Sequence, residues 1–149
     1  MGIARVVIGL DGSKESAYAL KSAIQMLPQE AEFLAVYGFD TLAATSASIN
    51  APFAATPPPP LDEWHQALSH DLEEDWCTPL REASRRYRSL VIEDAPASAL
   101  IGAAHEFKAD LIVVGHRHHG AFSEMVLGGT GHALVRHAHC PVLLIPAIS

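Results

Sequence analysis

Cysteine is scarce in this chain of 149 residues, where Cys77 and Cys140 are the whole supply. Neither sits at a metal-binding or redox-pair spacing, so a zinc ribbon and a CxxC redox site are excluded. A bridge between the two stays open, and a reducing compartment is the simpler reading. Basic residues are outnumbered, with 10 Lys and Arg against 17 Asp and Glu, for a formal net charge of -7. Such a chain has no broad cationic face to displace counterions from nucleic acid or to hold an anionic membrane. No apolar run approaches the length of a bilayer span. The first residues enter a strand-like run without the basic stretch and apolar core of an export signal, so a cytoplasmic protein is expected. What the chain does have is 49% hydrophobic residues, ordinary for a globular fold and far from the disordered range. Its length suits one domain covering 1–149.

Strand and helix signals alternate along it. Ala4 to Leu10 is a short β-branched run, broken by Asp11, Gly12 and Ser13. Ala17, Leu20, Ile24 and Leu27 then recur at the spacing of one helical face, ended by Pro28. Glu32 to Phe39 reads as a second strand, and together these pieces form a right-handed βαβ unit. Asp40 to Pro60 is rich in Ala, Ser and Thr and ends in four prolines, so an irregular insertion is expected there. Leu61, Trp64, Leu68, Leu72 and Trp76 mark a helical stripe that Pro79 should kink or divide before Tyr87. Leu90 to Glu93 reads as a third strand. Asp94, Ala95 and Pro96 open a helix that runs to about Phe107, with Leu100, Ala103, Ala104 and Phe107 inward. Leu111 to Val114 is the clearest buried strand. Thr130 to His137 is the last helix and Cys140 to Ile145 the fifth strand. Such alternation predicts an open α/β sheet covered on both faces.

In an open parallel sheet, ligands collect beyond the carboxyl ends of the strands, near the switch in strand order. Two segments fall there: Asp11 to Ser13, and Gly115 to Gly131, which reads GHRHHGAFSEMVLGGTG. Glycines let the backbone approach a ligand, and successive amides can converge on an anion. Gly128, Gly129, Thr130 and Gly131 also precede the last helix, whose N-terminal field favours negative charge. The segment is neither a Walker loop nor the GxGxxG fingerprint. A glycine-rich turn without any ligand is the competing reading.

Three stretches carry a more specific resemblance: VVIGLDGSKESAYAL near the start, DAPASALIGAAHEFKADLIVVGHRHHG in the second half, and HALVRHAHCPVLLIP at the end. Over essentially its whole length the chain resembles the universal stress protein family. That resemblance implies a Rossmann-like five-stranded parallel sheet of order 3-2-1-4-5. It also implies an adenine nucleotide site in many, though not all, members. Nucleotide-binding members carry glycine, two residues, glycine, nine residues, then glycine followed by serine or threonine. Here Gly115 and Gly128 match, His118 replaces the second glycine, and Gly129 takes the hydroxyl position one residue before Thr130. The resemblance further places Asp11 against the nucleotide and Gly38 where a second-strand backbone group meets adenine. Asp94 replaces a glycine often found before the Pro-Ala pair.

These matches imply a stress-response sensor or regulatory module that binds ATP or another adenine nucleotide weakly, with Mg2+ as a companion ion. Slow ATP hydrolysis is the most that is expected. No GxSxG elbow surrounds Ser13, Ser16 or Ser123, and the neighbouring Glu93 and Asp94 make a poor acid–base pair. Cys140 is expected to be buried packing. A nucleotide-independent protein interaction module is the alternative from another class. A metal site built from His116, His118, His119, His132, His137 and His139 ranks third, because three or four ligands would have to converge. The resemblance implies a homodimer formed through the last strand, Val142 to Ile145. An apolar strand at a sheet edge is otherwise an aggregation hazard.

Overall fold

A computed structural model describes residues 2–40, 61–116 and 129–146. It contains β1 (Arg5–Gly9), α1 (Lys14–Met26), β2 (Glu32–Gly38), α2 (Leu61–Asp71), a π-helical turn (Leu72–Trp76) and α3 (Thr78–Glu82). These are followed by β3 (Tyr87–Ile92), α4 (Pro96–Phe107), β4 (Leu111–His116), α5 (Gly129–His137) and β5 (Val142–Pro146). All neighbouring strands run parallel, in the order β3-β2-β1-β4-β5. The expected sheet and its order are therefore present. Most of the expected insertion, residues 41–60, lies outside the described residues.

Parallel strands buried on both faces need apolar residues at successive positions, and β1 and β4 supply them. Val6, Ile8, Phe33, Ala35, Leu111 and Val113 face a core closed by Ala19, Leu20 and Ala23 of α1, with Leu72 and Leu80. Val7, Leu34, Val36, Ile112 and Val114 face the opposite core, closed by Ala99, Leu100, Ala103, Ala104 and Phe107 of α4 and by Leu134 of α5. Val6 opposite Phe33 and Val7 opposite Ile112 show how the register keeps each face apolar. Each such buried side chain contributes about 1.5–3 kcal/mol of transfer free energy. A one-residue slip would exchange the two faces.

Helix ends are secured in different ways. Ser13 caps α1 by accepting from the Ser16 amide at 3.1 Å. Pro96 begins α4 directly after its Ala95 cap. The last turn of α1 has no basic residue of its own. The buried Arg85 reaches it from the far side of the sequence, donating to the Ile24 and Pro28 carbonyls while its guanidinium lies 5.1 Å from the Phe33 ring centre. The Ile24 carbonyl is one of the orphan acceptors of the helix end, and the Pro28 carbonyl lies just beyond it.

Three local expectations are corrected. The strand expected from Leu90 to Glu93 begins at Tyr87 and ends at Ile92. It is an edge strand with Arg88 and Leu90 exposed, so its apolar signal is thin. The helical stripe turns π-helical at Leu72–Trp76, which was not expected, while the division expected near Pro79 falls at Cys77 and leaves Pro79 in the first turn of α3, where a missing N–H costs nothing. The segment expected to be loop from Gly115 is strand through His116, and α5 already begins at Gly129. Among the described residues, no helix is long and apolar enough to cross a membrane.

Candidate functional site

Strand order reverses between β1 and β4, and a crevice must open there because the connections leave toward opposite faces. A cavity of about 270 Å3 occupies it. Its apolar walls are Val36, Leu100, Val114 and Leu144, and its polar rim includes Asp11, Tyr37, His116 and Thr130. Residues from the first turns of α1, α4 and α5 line it, among them Ser13, Pro96 and Thr130. Three helix N-termini thus present the positive ends of their dipoles to one space. The unpaired amides of such turns suit an anion.

Five of the seven residues expected at a site line this cavity: Asp11, Gly38, Gly115, Gly129 and Thr130. The other two, His118 and Gly128, lie outside the described residues, as do Arg117, His119 and Ser123. The five arrive from four elements separated by up to 119 positions, and the parallel register brings their ends level.

The turn after β1 is tightly bonded. Asp11 accepts from the Ser13 amide at 2.9 Å through its side chain. Ser16 Oγ donates to the Ser13 carbonyl at 3.1 Å and receives the Asp11 amide at 3.4 Å. Ser13 and Ser16 thus bond one another across the turn and the helix cap. Gly12 has φ +80, and a Cβ there would stand 2.7 Å from Trp76 Cζ2. The Trp76 indole also meets Tyr37 edge-on at 5.5 Å between ring centres. Burial pushes the Tyr37 phenol above its ordinary pKa, and the Asp11 charge adds to that rise. Tyr37 is thus a neutral hydroxyl at the cavity rim.

Two glycines at the site are required by packing. A Cβ at Gly38 would stand 2.7 Å from Pro96 Cα, so β2 can meet the start of α4 only without a side chain there. A Cβ at Gly115 would stand 2.6 Å from the Glu15 carbonyl oxygen. At Gly129 the same addition meets nothing within 4 Å.

Tyr37, Trp76 and Pro96 were not picked out from sequence, and His116 was weighed only as one of six histidines for a metal, not as part of this cavity. Trp76 belonged to a helical stripe and read as core, and Tyr37 was hidden inside an apolar strand. The position of Pro96 beside a helix start was the one available signal, and it was read only as a helix entry. Glu93 and Asp94 follow β3 as exposed residues, outside the strand in which they had been weighed. Asp94 accepts from the Ala95 amide at 2.8 Å. Cys140 is half-buried rather than fully buried, against the second apolar face. Among the described residues no three His, Cys, Asp or Glu gather around a common point.

The model of the universal stress protein family matches residues 2–146. Universal stress protein MJ0531 of Methanocaldococcus jannaschii is 28% identical over 149 residues, spanning 95% of this chain and 81% of that protein. Among solved structures, a universal stress protein in complex with cAMP superposes with TM-score 0.68 at 22% identity, over 99% of this chain and 100% of that one. An Arabidopsis thaliana member of the family, with AMP bound, superposes with TM-score 0.67 at 14% identity, over 98% and 93% of the two chains. A family match spanning 2–146, on a sheet of this order, leaves one conclusion: the chain belongs to the universal stress protein family.

Proposed function

We propose that this chain is a stress-response sensor or regulatory module that binds an adenine nucleotide weakly and turns it over little, if at all. The observation that carries this reading is the convergence of Asp11, Gly38, Gly115, Gly129 and Thr130 on one cavity at the switch point. Family structures with cAMP and with AMP support the choice of ligand class. In this reading the base lies toward Val36, Gly38 and Leu100, and Asp11 faces the ribose. The first-turn amides of α5 hold phosphate. Asp11 is also the group that would attract a magnesium ion. We place the protein in the cytoplasm.

The changed motif positions, His118 and Gly129, favour a second reading. In it the loop no longer takes nucleotide and the domain serves as a protein interaction module. Calorimetric titration of ligand-free protein with ATP, ADP and AMP, with and without magnesium, separates the two. Dissociation constants below about 1 mM, or more than about 4 kcal/mol, are expected for at least one nucleotide. Binding weaker than that for all three would leave the interaction module standing. His118→Gly restores the family glycine and should keep or raise affinity. Gly129→Ser restores a hydroxyl at a position with open space, so it should raise affinity without loss of stability.

A further inference from the structure

Away from the cavity, two histidines from separate elements meet at the surface. His105 lies in the last turn of α4, and His139 lies two residues beyond the end of α5. His105 Nδ1 and His139 Nε2 are 3.3 Å apart, both rings are exposed, and their centres are 5.0 Å apart at 80°.

We propose that His105 and His139 form an open, two-histidine chelate for a late first-row divalent ion, zinc by its geometry. Zinc–imidazole bonds are about 2.0–2.1 Å long, so two nitrogens on one tetrahedral ion stand about 3.3 Å apart. The same arrangement sets the ring centres about 5.1 Å apart. A collinear N–H···N bond at this separation would hold the centres at about 5.6 Å. The observed 5.0 Å agrees with convergence on a common point, as it does with a bent N–H···N bond between the two rings in the absence of an ion. Imidazole is a good ligand for zinc, copper and nickel.

The surroundings favour a cation. His105 and His139 mark the C-terminal ends of α4 and α5, the ends at which a helix dipole places partial negative charge. Among the described residues no third His, Cys, Asp or Glu completes the group, so the other positions are left to water and the affinity expected is below that of a three- or four-ligand site. The helices that start at the cavity thus end at this pair. An ion here ties their far ends together without entering the nucleotide site. The signal was hidden in sequence because 34 residues separate the two histidines.

The test is a calorimetric titration of the chelator-stripped, full-length protein with zinc chloride. The wild type is compared with His105→Ala, His139→Gln and His132→Ala. One zinc equivalent should weaken by about tenfold or more in each of the first two variants and persist in His132→Ala. Both altered side chains are exposed, and circular dichroism checks that the variants remain folded. In the wild type, zinc should shift the imidazole 15N resonances of both His105 and His139. No zinc binding by the wild type overturns the proposal. So does unchanged binding in the first two variants, or loss of the same equivalent in His132→Ala.

Discussion

Gly115 lies against the backbone of Glu15, so closely that a Cβ would stand 2.6 Å from the Glu15 carbonyl oxygen. The glycine that matches the first point of the family motif is therefore needed to seat α1 on β4, whatever the cavity holds. Gly115→Ala should cost about 1–3 kcal/mol of stability by overpacking. Urea unfolding without ligand measures it, and an unchanged midpoint would refute this role. By contrast Gly129 faces open space, which makes it the better position for separating binding from folding.

Asp110 joins the entrance of β4 to the start of β1. Its carboxylate accepts from the Ala4 and Arg5 amides at 2.9 and 3.0 Å. The Ala4 bond, then the Arg5 bond, holds its pKa below the ordinary carboxylate value. A lowered acid stabilises the fold above its unfolded pKa of about 3.9, and that share is lost as pH falls through the lowered folded value. Because Asp110 is exposed, solvent screening leaves about 1 kcal/mol. Asp110→Asn should therefore lower stability by about that amount at pH 7 and flatten the acid limb below about pH 4. Unfolding midpoints measured from pH 7 to pH 2 decide it, with parallel curves for the two proteins being the contrary result.

The two thiols should react unequally and slowly. Burial first, and then the Glu73 charge, pushes the fully buried Cys77 up to about 12. Cys140 is half-buried and raised by burial and then by Asp110. Thiolate is the reacting form, so both should lag a free cysteine at pH 8. Cys77 should label only as fast as the protein opens globally. Mass spectrometry of alkylated peptides would show otherwise if Cys77 labelled before Cys140.

β5 stands at the edge of the sheet, with Val142, Leu143 and Leu144 half-buried. We expect two copies to meet across this edge in a two-fold dimer whose contact includes Val142 to Ile145. Sedimentation at micromolar concentration should give a dimer. A monomer there, or a dimer in which this strand stays exposed and its free-edge amides exchange as in a monomer, would end the expectation.

Local pattern was enough for much of this fold. The β-branched runs of β1 and β4, the helical spacing of Leu20, Ile24 and Leu27, and the proline entry at Pro96 are set by near neighbours along the chain, whereas Ala17, counted on the same face, is exposed and α1 buries Ala19 and Ala23 instead. Alternation of such elements implies parallel strands, and the resemblance supplied their order. Asp11 and Gly115 were legible because each follows or ends an apolar strand, where a switch-point ligand must lie. The start of β3 was not legible, since an edge strand leaves Arg88 and Leu90 in water and loses its continuous apolar signal. Tertiary structure alone decided that Trp76 would lie on Gly12, that Gly115 would serve α1, and that His105 would meet His139. Each of these depends on how helices seat against a sheet and how far each strand runs. Those quantities arise only when residues tens of positions apart are packed to crystal-like density, where a single Cβ is enough to forbid a contact.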